Sequence, residues 1–383
     1  MKTVGIICEY NPFHQGHQKQ IIRIRQEFGD DVAIVCLMSG NYVQRGMPAV
    51  FDKSLRTEAA IRCGADLVLE LPTVVSLSSA EGFAAGGVKI LSPFCDSLCF
   101  GCETAREDTL METARALLLP DFSLRLREEL KNGCSFPSAR QKALAAMGRN
   151  TDLLEKPNDI LAVEYCKAMM EQGSSMKPFP IRREGNYHET VADIDNPSAT
   201  ALRQLICEKG NWSDYMPTAA ATIFQNASVH SLQAGERAIL ARLRTMDDEE
   251  FAALPYGSEG LWRKFMHACR SCAALEEIIT ATKSKRYTRT RLDRMVMCAY
   301  LGITGEMLQK EAPYVRVLGF TANGVSVLKK ARETGSFPHI GEKTADAYEM
   351  WEQRWDDLYG LFSHAVPTPC GQTHTRRMYI EKQ

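Results

Sequence analysis

Residues 4 to 17 read VGIICEYNPFHQGH. The apolar run from Val4 to Cys8 has the length and branched content of a buried strand. It breaks at Asn11-Pro12, and a helical pattern follows with Ile21, Ile24 and Phe28 on one face. Two of the eight histidines, His14 and His17, fall in the break around Gly16. A strand, a tight turn and a helix start form the place where α/β folds handle phosphate, because unpaired amides and the helix dipole favour an anion there.

The same alternation continues. Apolar strands are expected at 32–38, 65–72 and 96–100, and helices at 16–28, from Asp52 to about Cys63, and at 78–91. Near-continuous apolar strands separated by helices imply a parallel sheet covered on both faces. Ligands then bind beyond the carboxyl ends of the strands, so His14, the segment 39–45 and Gly101 can converge. Residues 106–180 read as helical, as does most of the chain from about 215. We therefore expect a Rossmann-like α/β domain over 1–208, a linker at 211–217, and an α-helical domain over 209–383.

Composition narrows the function classes. A formal net charge of −1 on 383 residues gives no global field for a nucleic acid, so any such surface must be local. No apolar run approaches the roughly 18–20 residues that cross a bilayer, and a cytoplasmic protein with no membrane partner is expected. Thirteen cysteines, an odd number, argue against a disulfide framework. Cys99/Cys102 and Cys269/Cys272 have CxxC spacing, but a zinc site would need both pairs to meet. No metal ligands are assigned.

Three segments carry chemistry. HxGH supplies imidazole donors and a glycine that lets backbone approach a phosphate; the bland alternative is two surface histidines. SATALR (198–203) offers Ser198 and Thr200 hydroxyls and Arg203 one turn into a helix, suited to leaving phosphates, or merely a helix cap. KSKRYTRTRLDR (283–294) sets six cations against one Asp with Tyr287 between them, which fits RNA phosphates and a stacked base, although such runs are often solvated helix faces. The segment SGNYVQRGMP (39–48) has the polarity of an active-site loop, with Arg45, Lys53 and Arg56 nearby; for Arg56 a structural role is the better reading. FGCE (100–103), PND (157–159) and IRRE (181–184) are weaker polar signals.

Together with GADLVLELP, KPNDILAVEY and YVRVLGF (314–320), these segments resemble the nucleotidylyl-transferring superfamily with a HIGH-type motif (a HUP-type fold). More closely they resemble the bacterial tRNA(Met) cytidine acetate ligase family, in order and over nearly the whole chain. HQGH stands for HIGH, and SATALR differs from the usual SATAIR by one apolar side chain. The resemblance implies that ATP activates acetate to acetyl-adenylate, and that the acetyl group passes to N4 of the wobble cytidine of elongator tRNA(Met).

 Mg2+ is expected to accompany the nucleotide. By position, the resemblance assigns ATP contacts to Ile7, Cys8, Glu9, Tyr10, Asn11, Pro12, Phe13, His14, Gln15, Gly16, His17, Gln18, Lys19 and Gln20, and to Gly101, Asn158 and the pair Arg182 and Arg183. It implies catalytic roles for His14, His17, Ser198, Thr200 and Arg203. The helical half, with Lys285, Arg286, Arg289 and Arg291, is expected to grip the tRNA. Two rivals are an adenylyltransferase acting on a small-molecule phosphate and a non-catalytic RNA-binding protein with a degenerate nucleotide site. Oligomeric state is not legible in the sequence.

Overall fold

The computed structural model of the chain describes residues 1–183, 197–333, 347–375 and 377–381. Glu184 of IRRE, and residues 190–196 ahead of SATALR, lie outside the described residues. Nine strands are described: β1 (Thr3–Cys8), β2 (Ala33–Ser39), β3 (Tyr42–Val43), β4 (Met47–Pro48), β5 (Leu67–Leu71), β6 (Ser97–Cys102), β7 (Lys177–Arg182), β8 (Val317–Phe320) and β9 (Tyr379–Ile380). Seven of them form one sheet in the order β7-β6-β1-β2-β5-β8-β9, and β3 and β4 form a separate hairpin.

The expected parallel sheet is present. β1 runs parallel to β2 and β6, β2 to β5, and β6 to β7, with Thr3 beside Ala33 and Cys8 beside Met38. The chain moves outward from β1 to β2 and β5, then crosses back to β6 on the other side of β1. That reversal opens a crevice beyond the carboxyl ends of β1 and β6. Helix Gln15–Phe28 covers one face with Ile21 and Ile24, and helix Ala80–Leu91, rich in Ala and Gly, lies on the other with Phe83, Val88 and Leu91. Ile34, Val35, Leu37, Leu67 and Leu69 are fully buried. Each such side chain contributes about 1.5–3 kcal/mol.

Three strands of the large sheet depart from the sequence expectation. β7, which begins inside the stretch read as helical and runs past its end at 180, carries Pro178 and Pro180 and pairs only with β6. An edge strand tolerates proline because one side of its backbone needs no partner. β8 and β9 come from the C-terminal half: β8 pairs antiparallel with β5, and β9 pairs with β8. They are too short to show a strand period. The C-terminal half is otherwise helical, with a core that includes Ile239, Leu243, Phe265, Met295, Trp355 and Phe362.

Packing crosses the expected 208/209 division. Met216, Ala220 and Phe224 join the core of β1 and helix Gln15–Phe28, and Phe51 stacks on Phe224 at 4.4 Å. The segment 211–217 is therefore a packed connection and not a free linker. A buried ionic cluster fastens the halves together. Lys53 Nζ donates to Glu70 Oε1 (2.6 Å) and to Asp356 Oδ2, while Arg316 Nη1 donates to Glu70 Oε2 (3.1 Å).

Segment 39–48, read from its polarity as an active-site loop, is largely buried and packs against the helical half. Tyr42 enters the helical core, where its hydroxyl donates to Trp355 O (2.8 Å). Gly46 sits at φ +74° against helix Arg289–Leu301; a Cβ there would stand 2.6 Å from Asp293 O. Arg56 is fully buried and donates to the carbonyls of Phe51 (2.9 Å), Glu9 (2.7 Å), Ser39 (3.0 Å) and Gly40, a structural role.

Candidate functional site

The site grows from the turn after β1. Tyr10 takes a left-handed φ of +44°, and the Asn11-Pro12 bond is cis. Asn11 Oδ1 accepts from Val50 N (2.7 Å), fixing the turn to the chain that follows the hairpin. His14 caps helix Gln15–Phe28: its Nδ1 accepts from Gly16 N (3.1 Å), and His17 Nδ1 accepts from His14 N (3.3 Å). A Cβ on residue 16 would stand 3.0 Å from His14 Cε1, so glycine lets the ring fold over the helix start. The two imidazoles stack with centroids 3.8 Å apart, and Tyr10 and Phe13 pack on His17.

These contacts decide the protonation state. Burial, then the charges of Arg183 and Arg203, lower the pKa of His14 to about 3. Burial, His14 and Arg183 hold His17 well below its usual value. Both rings are therefore neutral near pH 7. An Nδ1 that accepts a backbone N–H carries no proton, so the proton of each ring is on Nε2. Among the described residues neither Nε2–H has a hydrogen-bond partner. The arrangement provides two fixed neutral donors at a helix N-terminus.

Cationic groups flank the pair. Arg203, in helix Ala199–Cys207, donates to Asn11 O (2.8 Å) and Thr200 Oγ1 (3.0 Å). Arg183 follows β7; its backbone N donates to Cys102 O (2.9 Å), its Nη1 to Asn158 Oδ1 (3.4 Å), and its chain lies across Gly101. Asn158 is held in turn by Glu103 Oε1 (2.8 Å), and Asp159 N donates to Glu103 Oε2 (2.8 Å). Asp159 accepts from the backbone N of Glu103 and Thr104, both at 2.9 Å. This reciprocal clamp joins FGCE to PND across 55 residues, which no local sequence signal could reveal.

His14, Gly16, His17, Asn11, Gly101, Asn158, Arg183, Thr200 and Arg203 are thus brought to one crevice. Ser198 stands at the N-cap of helix Ala199–Cys207 without a side-chain capping bond. Both arginines of the pair are exposed, but Arg183 is the one that bonds Asn158 and whose charge acts on His14 and His17, so the geometry favours Arg183. Several residues of the 7–20 stretch serve packing through their side chains. Cys8 Sγ donates to Leu37 O, Gln18 Nε2 to Cys63 O (3.1 Å) and Gln20 Nε2 to Cys99 Sγ (3.3 Å), and Phe13 is fully buried.

The basic run lies on the helical half and is largely engaged. Arg286 pairs with Glu259 (2.8 Å), Arg289 with Glu276 through two 2.7 Å bonds, and Arg291 donates to Tyr256 O (2.7 Å). Lys285 is exposed and has no such partner among the described residues. Cys99 and Cys269 belong to different cores, so the two CxxC pairs do not converge.

The profile of a family described as HIGH Nucleotidyl Transferase matches residues 1–370. The chain is 35% identical over 367 residues to the tRNA(Met) cytidine acetate ligase of Clostridium tetani, covering 89% of this chain and 90% of that one. It is 36% identical over 367 residues to the enzyme of the same name from Halothermothrix orenii, covering 89% and 87%. The crystal structure of Thermotoga maritima TmcAL (apo, form I) superposes with a TM-score of 0.92 at 30% identity over 99% of both chains. The structure of that protein bound with alpha-thio ATP gives 0.88 at 29% identity, again over 99% of both.

Proposed function

The chain belongs to the HIGH nucleotidyl transferase family and, within it, to the tRNA(Met) cytidine acetate ligases, and from that premise we propose how its crevice works. It is an ATP-dependent ligase that forms acetyl-adenylate and passes the acetyl group to N4 of the wobble cytidine of elongator tRNA(Met). The observation that carries the reading is the stacked, neutral His14–His17 pair between Arg183 and Arg203.

Acetate is ionised at pH 7 and needs no base to attack the α-phosphate. The first step asks for alignment and for donors where charge develops. The two Nε2–H groups suit the α-phosphate region. Arg203, with Ser198 and Thr200, suits the leaving phosphates, and Arg183 with Asn158 and Gly101 the nucleotide. Mg2+ would enter on the triphosphate oxygens, supplying charge neutralisation there. Among the described residues no group of three or more His, Cys, Asp or Glu side chains is arranged to hold a metal.

The tRNA must present its anticodon loop to this crevice. Lys285 is the basic residue best placed for a first phosphate contact. Arg286 and Arg289 would exchange carboxylate partners for phosphate, at small cost because exposed ion pairs contribute about 0–1 kcal/mol. Incubation with labelled acetate, ATP and total tRNA, followed by nucleoside mass spectrometry, tests the whole reading. N4-acetylcytidine in elongator tRNA(Met), with AMP and pyrophosphate, is expected; AMP-tagged small molecules would overturn it.

A further inference from the structure

We propose that Glu9 is the proton acceptor of the acetyl-transfer step, a role that rests on the ligase reading above. In that step the N4 lone pair attacks the acetyl carbonyl carbon. The bond from that carbon to the phosphate oxygen breaks, and AMP leaves with the electron pair. N4 changes from an amine with two hydrogens to an amide with one, so one proton must go to an acceptor.

The histidines cannot take it. Each Nδ1 already accepts a backbone N–H, and each Nε2 already carries a hydrogen. The carboxylates on or after β5 and β6 are engaged at both oxygens. Glu70 accepts from Lys53 and Arg316, and Glu103 accepts from Asn158 Nδ2 and Asp159 N. Asp159 accepts at Oδ1 from two backbone amides and at Oδ2 from Thr104 Oγ1 (2.7 Å).

Glu9 differs. It directly follows β1, and its Oε1 accepts from Gln44 N (2.9 Å). Its Oε2 has no hydrogen-bond partner among the described residues. Its carbonyl is held by Arg56 Nη1 (2.7 Å), so both backbone and side chain are fixed. Arg203, which binds the carbonyl of Asn11 two residues on, feels the Glu9 charge. The result is an oriented carboxylate with one open oxygen at the mouth of the phosphate turn. A carboxylate is also the side chain that accepts from the exocyclic amine of cytosine, so the same oxygen can orient N4 before taking its proton.

Glu9→Gln keeps an oxygen to accept from Gln44 N but cannot take a proton. Acetate-dependent ATP–pyrophosphate exchange and single-turnover acetyl transfer to a tRNA(Met) transcript are measured on one preparation. The ratio of transfer to exchange is expected to fall about 100-fold, at the low end for acid–base catalysis, with enzyme-bound acetyl-adenylate accumulating. An unchanged ratio would overturn the proposal, whether both rates stay normal or both fall together. If the unmodified protein shows no exchange at all, it is the ligase reading that fails, and the two failures are distinguishable.

Discussion

A histidine in water is half protonated near pH 6.5, whereas His14 and His17 stay neutral well below that. Their value to the reaction is as donors whose state does not change. His14→Ala and His17→Ala are each expected to lower acetate-dependent exchange by about 100- to 1000-fold, the worth of one preorganised donor. The same shift links to stability. Between about pH 6.5 and 3 the unfolded chain binds a proton at His14 that the folded chain does not. Stability therefore falls as pH falls through that window, by up to about 1.4 kcal/mol per pH unit for one imidazole. Urea midpoints of the native protein and of His14→Gln, measured from pH 7 to 4.5, should show the shallower slope in the variant. The histidines, the glycine and the turn at Asn11-Pro12 were legible in the sequence because they are contiguous, although the cis form of that bond was not. The pairing of Glu103 with Asp159 and of Gln44 with Glu9 was not, since those partners lie 35 to 56 residues apart.

At the scale of elements, the β3–β4 hairpin joins the two halves. Its Gln44 N holds Glu9, its Tyr42 enters the helical core, and its Gly46 rests on helix Arg289–Leu301. Gly46→Ala adds a methyl group against that backbone at a positive φ. A loss of about 2 kcal/mol or more in denaturant unfolding is expected, with acetyl transfer impaired. On the exposed side of the same helical half, Lys285→Glu should weaken tRNA(Met) binding and reduce the slope of log K against log salt, read by filter binding over a salt series. Periodicity found the central strands and their helices. It missed β7, which starts within the stretch read as helical and whose prolines fit a strand because it lies at an edge. It also missed the hairpin, whose two-residue strands are shorter than any pattern.

For the whole molecule, Lys53, Glu70, Arg316 and Asp356 form the buried joint between halves. Lys53→Met leaves Glu70 and Asp356 buried with Arg316 as their remaining cation, 3.1 Å and 3.9 Å away, and should cost about 3 kcal/mol. Trp212 lies beside the first core and Trp355 within the second. Fluorescence of single-tryptophan variants should show both halves unfolding in one transition in the native protein.

Because β8 completes the sheet beside β5, the nucleotide-binding half is unfinished until the last quarter of the chain has been made. During synthesis Glu70 waits for Arg316, and Lys53 for Asp356, nearly 250 and just over 300 residues behind. Domains that fold as they leave the ribosome need no such delay. Here a nascent chain stalled before residue 316 would expose an unpaired edge of β5, and holdase chaperones should engage it until the closing strand arrives.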